Sequence, residues 1–218
     1  QILVTNGKHM LPASQQLAQP APVPEVKIFS GPLRRRSILI LAVWFLVSIS
    51  YYGVFVWMPP KLAGEGFGFV RGYGFLVLIA LAQLPGYALA AYGVEKWGRR
   101  PTLVGFCLLS AAGCFLFVVA SGSILIGASL LIMSFALLGT WGALYAFTPE
   151  LYPTASRATG MGAAGAMARF GGLIAPSAMA FVVAQSFGLA IAVFAGLLVL
   201  AGLAAYLIDA ETREASLA

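Results

Sequence analysis

Few residues of this chain can do chemistry, and they fall into two settings. Arg169 is a charge inside an apolar run, 160–184. It lies about nine residues in, roughly 13 Å deep at ~1.5 Å per residue. An arginine at such a depth costs about 2.5 to 3.5 kcal/mol on insertion scales. Two readings answer that cost: the guanidinium faces a cavity and pairs with an anionic substrate or a carboxylate elsewhere, or it bonds another helix or backbone carbonyls. Gln83 is the other polar side chain at depth, a neutral amide that suits a substrate or a neighbouring helix equally. The second setting is two short loops holding Glu95, Arg99 and Arg100, then Glu150 and Arg157. Glu95 near a membrane edge needs the arginines as partners, and Glu150 can pair with Arg157 or with a basic residue of the other loop, latching that face.

What is missing narrows the class. The apolar runs hold no carboxylate and no histidine, and the only histidine, His9, sits in a polar segment and reads as a solvated linker residue. A membrane-embedded enzyme needs a nucleophile, base or metal ligands converging at one depth, and no such set is present. No GxxxxGK[ST] phosphate loop supports an ATP-driven pump. Cys107 and Cys114 lie seven residues apart in one apolar run with no metal-ligand spacing around them, and read as small lipid- or helix-facing residues. Neither a metal nor another cofactor is expected.

These residues must be carried by membrane helices. Of 218 residues 61% are hydrophobic and 9% charged, with mean hydropathy +0.93, against about 25% charged in a soluble domain. A helix needs about 20 residues to cross ~30 Å of hydrocarbon. Six apolar runs have that length: 37–58, 73–94, 101–120, 123–147, 160–184 and 187–208. With no water in the bilayer to satisfy the backbone, the runs must be helical. Placing loops on alternate sides gives one side Lys27, Arg34, Arg35, Arg36, Lys96, Arg99, Arg100, Arg157 and Arg213, and the other only Lys61 and Arg71. The positive-inside rule then makes both termini cytoplasmic and accounts for the net +6 without nucleic acid. The expected organisation is a linker over 1–36, a six-helix membrane domain over 37–208 and a tail over 209–218. Pro12 to Pro24, rich in Gln, Ala and Pro, suits a flexible linker. The start at Gln1, with no signal-peptide pattern, reads as a piece of something longer.

The runs differ in kind. Run one is aromatic, with Trp44, Phe45, Tyr51, Tyr52, Phe55 and Trp57, and is expected to stop at Pro59 and Pro60. Run five is built from small residues, GMGAAGAMARFGG from Gly160 to Gly172, and is expected to be buried against other helices. Run six, rich in Leu, Ala and Val, is expected to face lipid. Between runs two and three the sequence is GVEKWGRRPTL, Gly93 to Leu103: Gly98 serves a tight turn and Pro101 opens a helix. Between runs four and five it is TPELYPTASRATG, Thr148 to Gly160.

These two loops, in this order between runs of this length, resemble the second half of the major facilitator superfamily, in the branch of sugar porters and bacterial metabolite:proton symporters that includes niacin and aromatic-acid transporters. GVEKWGRRPTL is similar to the C-terminal copy of that family's signature loop, with Glu95 where aspartate is commoner, and PELYPTASRATG is similar to the loop before its eleventh helix. Asn6 to Lys8 and Arg34 to Arg36 are similar to the central loop of niacin-type members. The resemblance implies one half of a twelve-helix transporter in the inner (plasma) membrane, the six runs being helices seven to twelve, with an N-terminal six-helix half as partner and a small-molecule substrate handled by alternating access. It also implies that the first and fourth runs line the cavity, making Tyr51, Tyr52, Trp57, Trp141 and Tyr145 candidate contacts for a flat ring; Trp57 serves equally in an interfacial belt. A small organic acid, an aromatic carboxylate or niacin, is then the expected solute, moved by proton symport with the carrier in the other half or at Glu150; a neutral metabolite porter, sodium coupling, uniport and a dimerising subunit stay open.

Overall fold

The computed structural model describes residues 27–64 and 73–213. Residues 1–26, with His9, Asn6 to Lys8 and most of the expected linker, residues 65–72, with Arg71, and the tail residues 214–218 lie outside the described residues. The described chain is six helices: α1 Leu33–Gly64, α2 Tyr73–Lys96, α3 Arg99–Val119, α4 Ser123–Glu150, α5 Thr154–Gln185 and α6 Phe187–Tyr206. All six are long and apolar enough to cross a membrane, and no strand occurs among the described residues.

Packing pairs α1 with α5 and α6, α2 with α4, and α3 with both α4 and α6. In lipid there is no water to expel, so close backbone approach decides such contacts. Gly139 of α4 lies against the Phe106 ring of α3, and Gly86 of α2 against the Phe135 carbonyl of α4, both too close to admit a methyl group. Hydroxyls stitch the helices together: Ser134 Oγ donates to the Ile79 carbonyl (3.0 Å), Ser110 and Thr140 pair at 3.2 Å, and Ser50 Oγ reaches the Phe194 carbonyl at 3.4 Å. Cys107 and Cys114 are both buried, Cys107 against Gly202.

Two boundary expectations need correction. α1 runs through Pro59 and Pro60 to Gly64, since proline's fixed φ is helical and the cost is two donors, those that would reach the Phe55 and Val56 carbonyls. The loop Thr148 to Gly160 shrinks to residues 151–153: Thr148, Pro149 and Glu150 finish α4, and Arg157 is already in α5. Pro85, Pro149 and Pro176 likewise sit inside helices.

The expected roles of the last two helices hold only in part. α6 buries one side, with Ala190, Ile191, Phe194, Leu198, Ala201 and Ala205 fully buried, and exposes Leu189, Leu200 and Leu203 on the other. α5 is likewise buried along one side: Gly171 touches the Phe45 carbonyl and Ser48 (both 3.0 Å from a methyl built there), while Leu173 and Phe181 are exposed. Small residues mark where backbones come close, and α6 approaches α3 at Gly202 (3.3 Å from a methyl built there) nearly as closely as α5 approaches α1. Composition does not say how many sides of a helix are so used.

Candidate functional site

A cavity of about 330 Å³ opens between α1, α2, α4 and α5, lined by Tyr51, Tyr52, Tyr87, Trp141, Tyr145 and Arg169 with Leu138, Gly165 and Ala168. Helical spacing explains the lining. Leu138, Trp141 and Tyr145 stand at three- and four-residue intervals on α4, as do Gly165 and Arg169 on α5, so each set shares one face.

The rings hold one another at edge-to-face angles. Trp141 meets Tyr51 at 6.0 Å and 89°, and Tyr51 meets Tyr52 at 5.3 Å and 89°. Behind them the fully buried Trp44 packs on Trp141 (5.4 Å, 67°) and Tyr145 (4.9 Å, 83°), and its indole N–H donates to Thr148 Oγ1 at 2.8 Å. Such contacts are worth about 0.5 to 1.5 kcal/mol per pair beyond burial. They leave Tyr52, Tyr87 and Tyr145 exposed and Trp141 only 9% exposed. A rigid Trp-Tyr wall with polar hydroxyl tips thus faces open space.

Arg169 is exposed at the cavity, and its Nη1 donates to the Gly165 carbonyl one turn back, at 2.9 Å. A methyl at Gly165 would lie 3.0 Å from that nitrogen, so glycine makes room for the fold-back. One nitrogen thus serves a backbone carbonyl, as the second reading expects, and the head still lines the cavity. Among the described residues no carboxylate lines it; Glu95, Glu150, Asp209 and Glu211 all lie at the basic end of the bundle.

Two expected contacts stand elsewhere. Gln83 is half-buried on α2 and does not line the cavity. Tyr87, one turn further along the same helix, does; the signal available was a second hydrogen-bonding side chain four residues from Gln83. Trp57 donates its N–H to the Pro176 carbonyl of α5 at 3.3 Å, tying α1 to α5.

The loop charges gather at the basic end. Arg99 reaches Glu150 with Nε at 2.9 Å and Nη2 at 3.2 Å, Glu95 with Nη2 at 3.3 Å and the Val94 carbonyl with Nη1 at 2.9 Å. Thr212 donates to the same Glu150 carboxylate. Glu150 is therefore paired across to α3, while Arg157 gives its Nε to the Pro149 carbonyl at 3.1 Å; of the two pairings open in the sequence, the structure forms the inter-loop one. Arg100 donates to the Ile208 carbonyl (3.0 Å) and lies over the Tyr206 ring at 5.4 Å.

Sequence reasoning missed the tail. Glu211 accepts from the backbone N–H groups of Arg99 (2.9 Å) and Arg100 (3.1 Å), an acid at the positive end of α3. Gly98, at φ 105°, makes the turn, and a methyl there would lie 2.9 Å from the Glu211 carboxylate. Asp209 is held by Arg36 at 3.0 Å, which keeps its carboxyl below the usual carboxylate range.

Comparison with known proteins agrees with this architecture. The sequence profile described as Major Facilitator Superfamily matches residues 7–176 and 72–217. The chain is 37% identical over 185 residues to a putative niacin/nicotinamide transporter, NiaP, of Bacillus subtilis, covering 84% of this chain and 46% of that protein. It is 41% identical over 160 residues to the niacin transporter NiaP of Acinetobacter baylyi, covering 73% and 36%. The chain thus spans less than half the length of these relatives. A crystal structure of a double-tryptophan XylE mutant superimposes with TM-score 0.70 at 20% identity, over 88% of this chain and 44% of that one. The chain belongs to the Major Facilitator Superfamily.

Proposed function

We propose, with superfamily membership as the premise, that this chain is the C-terminal half of a secondary transporter that moves a small organic acid, an aromatic carboxylate or niacin, by alternating access. The observation that carries the reading is the cavity itself: aromatic walls for a flat ring, hydroxyls at its edges and the Arg169 guanidinium for a carboxylate. Both NiaP relatives are named for niacin, one of them for the neutral nicotinamide as well, which supports a flat pyridine-type ring. Tyr51, Tyr52, Trp141 and Tyr145 contact the ring, Arg169 neutralises the acid, Tyr87 joins them, and Gln83 serves as an outer hydrogen-bonding residue.

The partner half docks on the exposed side of α2 and on the side of α5 that carries Leu173, away from the Phe45–Phe170 stack; both flank the open side of the cavity, and the halves rock about the site. Residues 1–36 are the loop joining the two halves, and the basic end of the bundle is the cytoplasmic side of the inner membrane, with 209–218 a cytoplasmic tail. There Glu95, Arg99, Arg100, Glu150 and Arg157 brace the cytoplasmic face. Protons are the coupling ion, carried in the partner half, because Glu150 is already engaged by Arg99 and Thr212.

Uptake of radiolabelled nicotinate and benzoate by cells expressing the full-length protein tests the reading. Arg169→Ala should lower uptake of both acids at least tenfold while sparing nicotinamide, which has the ring without the charge, and a protonophore should abolish accumulation. Acid uptake that survives Arg169→Ala unchanged refutes the organic-acid assignment and leaves a neutral-metabolite porter.

A further inference from the structure

We propose that the groove along the start of α1, bordered at its mouth by Leu207 after α6 and deeper in by α5, is a binding site for a single phospholipid with an anionic headgroup. Two contiguous hollows form it. The first, about 390 Å³, is lined by Arg34 and Arg35 together with Gly31, Ile38, Leu39 and Leu207. The second, about 360 Å³, has no polar side chain; Phe29, Ile38, Leu41, Phe45 and Phe170 are among its walls. Ile38 lines both, so a basic mouth runs into an apolar trough.

The register of α1 gives the trough its length. Arg34, Ile38, Leu41 and Phe45 follow at four, three and four residues, one continuous stripe on a helix. From Arg34 to Phe45 the rise is roughly 16 Å at ~1.5 Å per residue, about half the ~30 Å hydrocarbon thickness. That is the depth one acyl chain occupies below its headgroup. Phe45 and Phe170 stack at 6.0 Å and 27°, closing the floor between α1 and α5.

Charge selects the headgroup. Arg36 spends its guanidinium on Asp209, at 3.0 Å. Among the described residues no carboxylate forms an ion pair with Arg34 or Arg35, and both are exposed; Arg35 gives one N–H to the Leu207 carbonyl at 3.2 Å and feels the Asp209 charge at longer range. A bilayer fills any such trough with acyl chain, but two exposed guanidinium groups at its mouth, with Asp209 already bound by Arg36, favour a phosphodiester bearing net negative charge over a zwitterion. Which leaflet supplies the lipid follows from the orientation proposed above; binding does not depend on it.

Native mass spectrometry of the full-length protein in detergent tests this, with phosphatidylglycerol or phosphatidylcholine of the same acyl composition added. One phosphatidylglycerol should be retained where phosphatidylcholine is lost. R34Q/R35Q should weaken phosphatidylglycerol retention about 25-fold, the effect of about 1 kcal/mol for each of two arginines. Ala42→Trp, at a half-buried position in the trough wall, should block it while leaving helicity and elution volume unchanged, and glycerol 3-phosphate should not displace it. Equal retention of the two lipids, retention indifferent to R34Q/R35Q or to Ala42→Trp, or displacement by glycerol 3-phosphate each overturns the proposal. The readout is lipid retained, not solute moved, so its failure and the failure of the transport reading are separate results.

Discussion

Truncating Glu150 to alanine removes the carboxylate on which α3, α4 and the tail converge. The Arg99 side chain is 15% exposed and that of Glu150 18%, joined through two N–H···O contacts of 2.9 and 3.2 Å. Hydrogen bonds to charged groups contribute about 1.5 to 3 kcal/mol each. Residual solvent access discounts that, and Arg99 keeps the Val94 carbonyl and Glu95 afterwards, so the expected loss is about 2 to 4 kcal/mol. Glu95 is the internal control: it meets the same arginine at 3.3 Å, but its side chain is 75% exposed. Glu95→Ala should therefore cost no more than about 0.5 kcal/mol. Melting of the purified protein can be followed by a thiol-reactive dye, since Cys107 and Cys114 are buried until the bundle opens. At roughly 2–4 °C per kcal/mol for a chain of this size, Tm should fall by about 5 to 15 °C for Glu150→Ala and by about 2 °C or less for Glu95→Ala. Double-mutant cycles with Arg99→Gln should give a coupling above about 1.5 kcal/mol for Glu150 and below about 0.5 for Glu95. Equal Tm losses, or equal couplings, would refute the argument that burial and bidentate geometry decide the strength of this cluster.

Gly139→Val places a side chain where the Phe106 ring lies and should destabilise by about 1 to 3 kcal/mol through overpacking, whereas Gly105→Ala, with open space around it, should be neutral or stabilising by up to ~1 kcal/mol; the same melts decide. Trp44→Phe trades a fully buried indole for a smaller ring and removes the N–H that the Thr148 hydroxyl accepts, although that hydroxyl still donates to the Leu144 carbonyl; it should cost about 1 to 3 kcal/mol, with a smaller further loss when Thr148→Val is added. Asp209 has a folded-state pKa below its ordinary 3.8, so its stabilisation is present above that value and fades as pH falls through the lowered one. The Tm gap between wild type and Asp209→Asn should thus be constant from pH 8 to 5 and close below pH 4; a gap that widens on acidification refutes the sign.

The spans were legible because a bilayer leaves a 20-residue apolar run no alternative to helix, and the basic residues of alternate loops do come together at one end of the bundle. Helix ends were less legible. Pro149 and the Pro59–Pro60 pair signal termination by local rules, yet α4 and α1 run through them; at the end of α4 the Pro149 carbonyl takes Arg157 Nε at 3.1 Å. The burial of α5 and α6 was only half legible for a similar reason. Glycine and alanine record only that something is near, and among the described residues each of the two helices keeps one exposed side. Glu211 was illegible for another reason: nothing local to the tail tells that it will cap a helix begun 112 residues earlier at Arg99.

What joins the two groups of chemical residues is α4. It carries Trp141 and Tyr145 on the cavity wall and Glu150 nine residues beyond Trp141, roughly 13 Å along the axis at ~1.5 Å per residue. Trp44 of α1 touches both ends of that interval, packing on the two cavity rings and bonding Thr148, two residues from the carboxylate. A displacement of α4 relative to α1 that reshapes the cavity must therefore disturb the Trp44–Thr148 bond, and one relative to α3 must break the Arg99–Glu150 clamp. With buried hydrogen bonds worth about 1 kcal/mol and charge-assisted ones about twice that, α4 is tied more firmly to α3 at the basic end than to α1 beside the cavity. The softer of the two joints is the one beside the cavity.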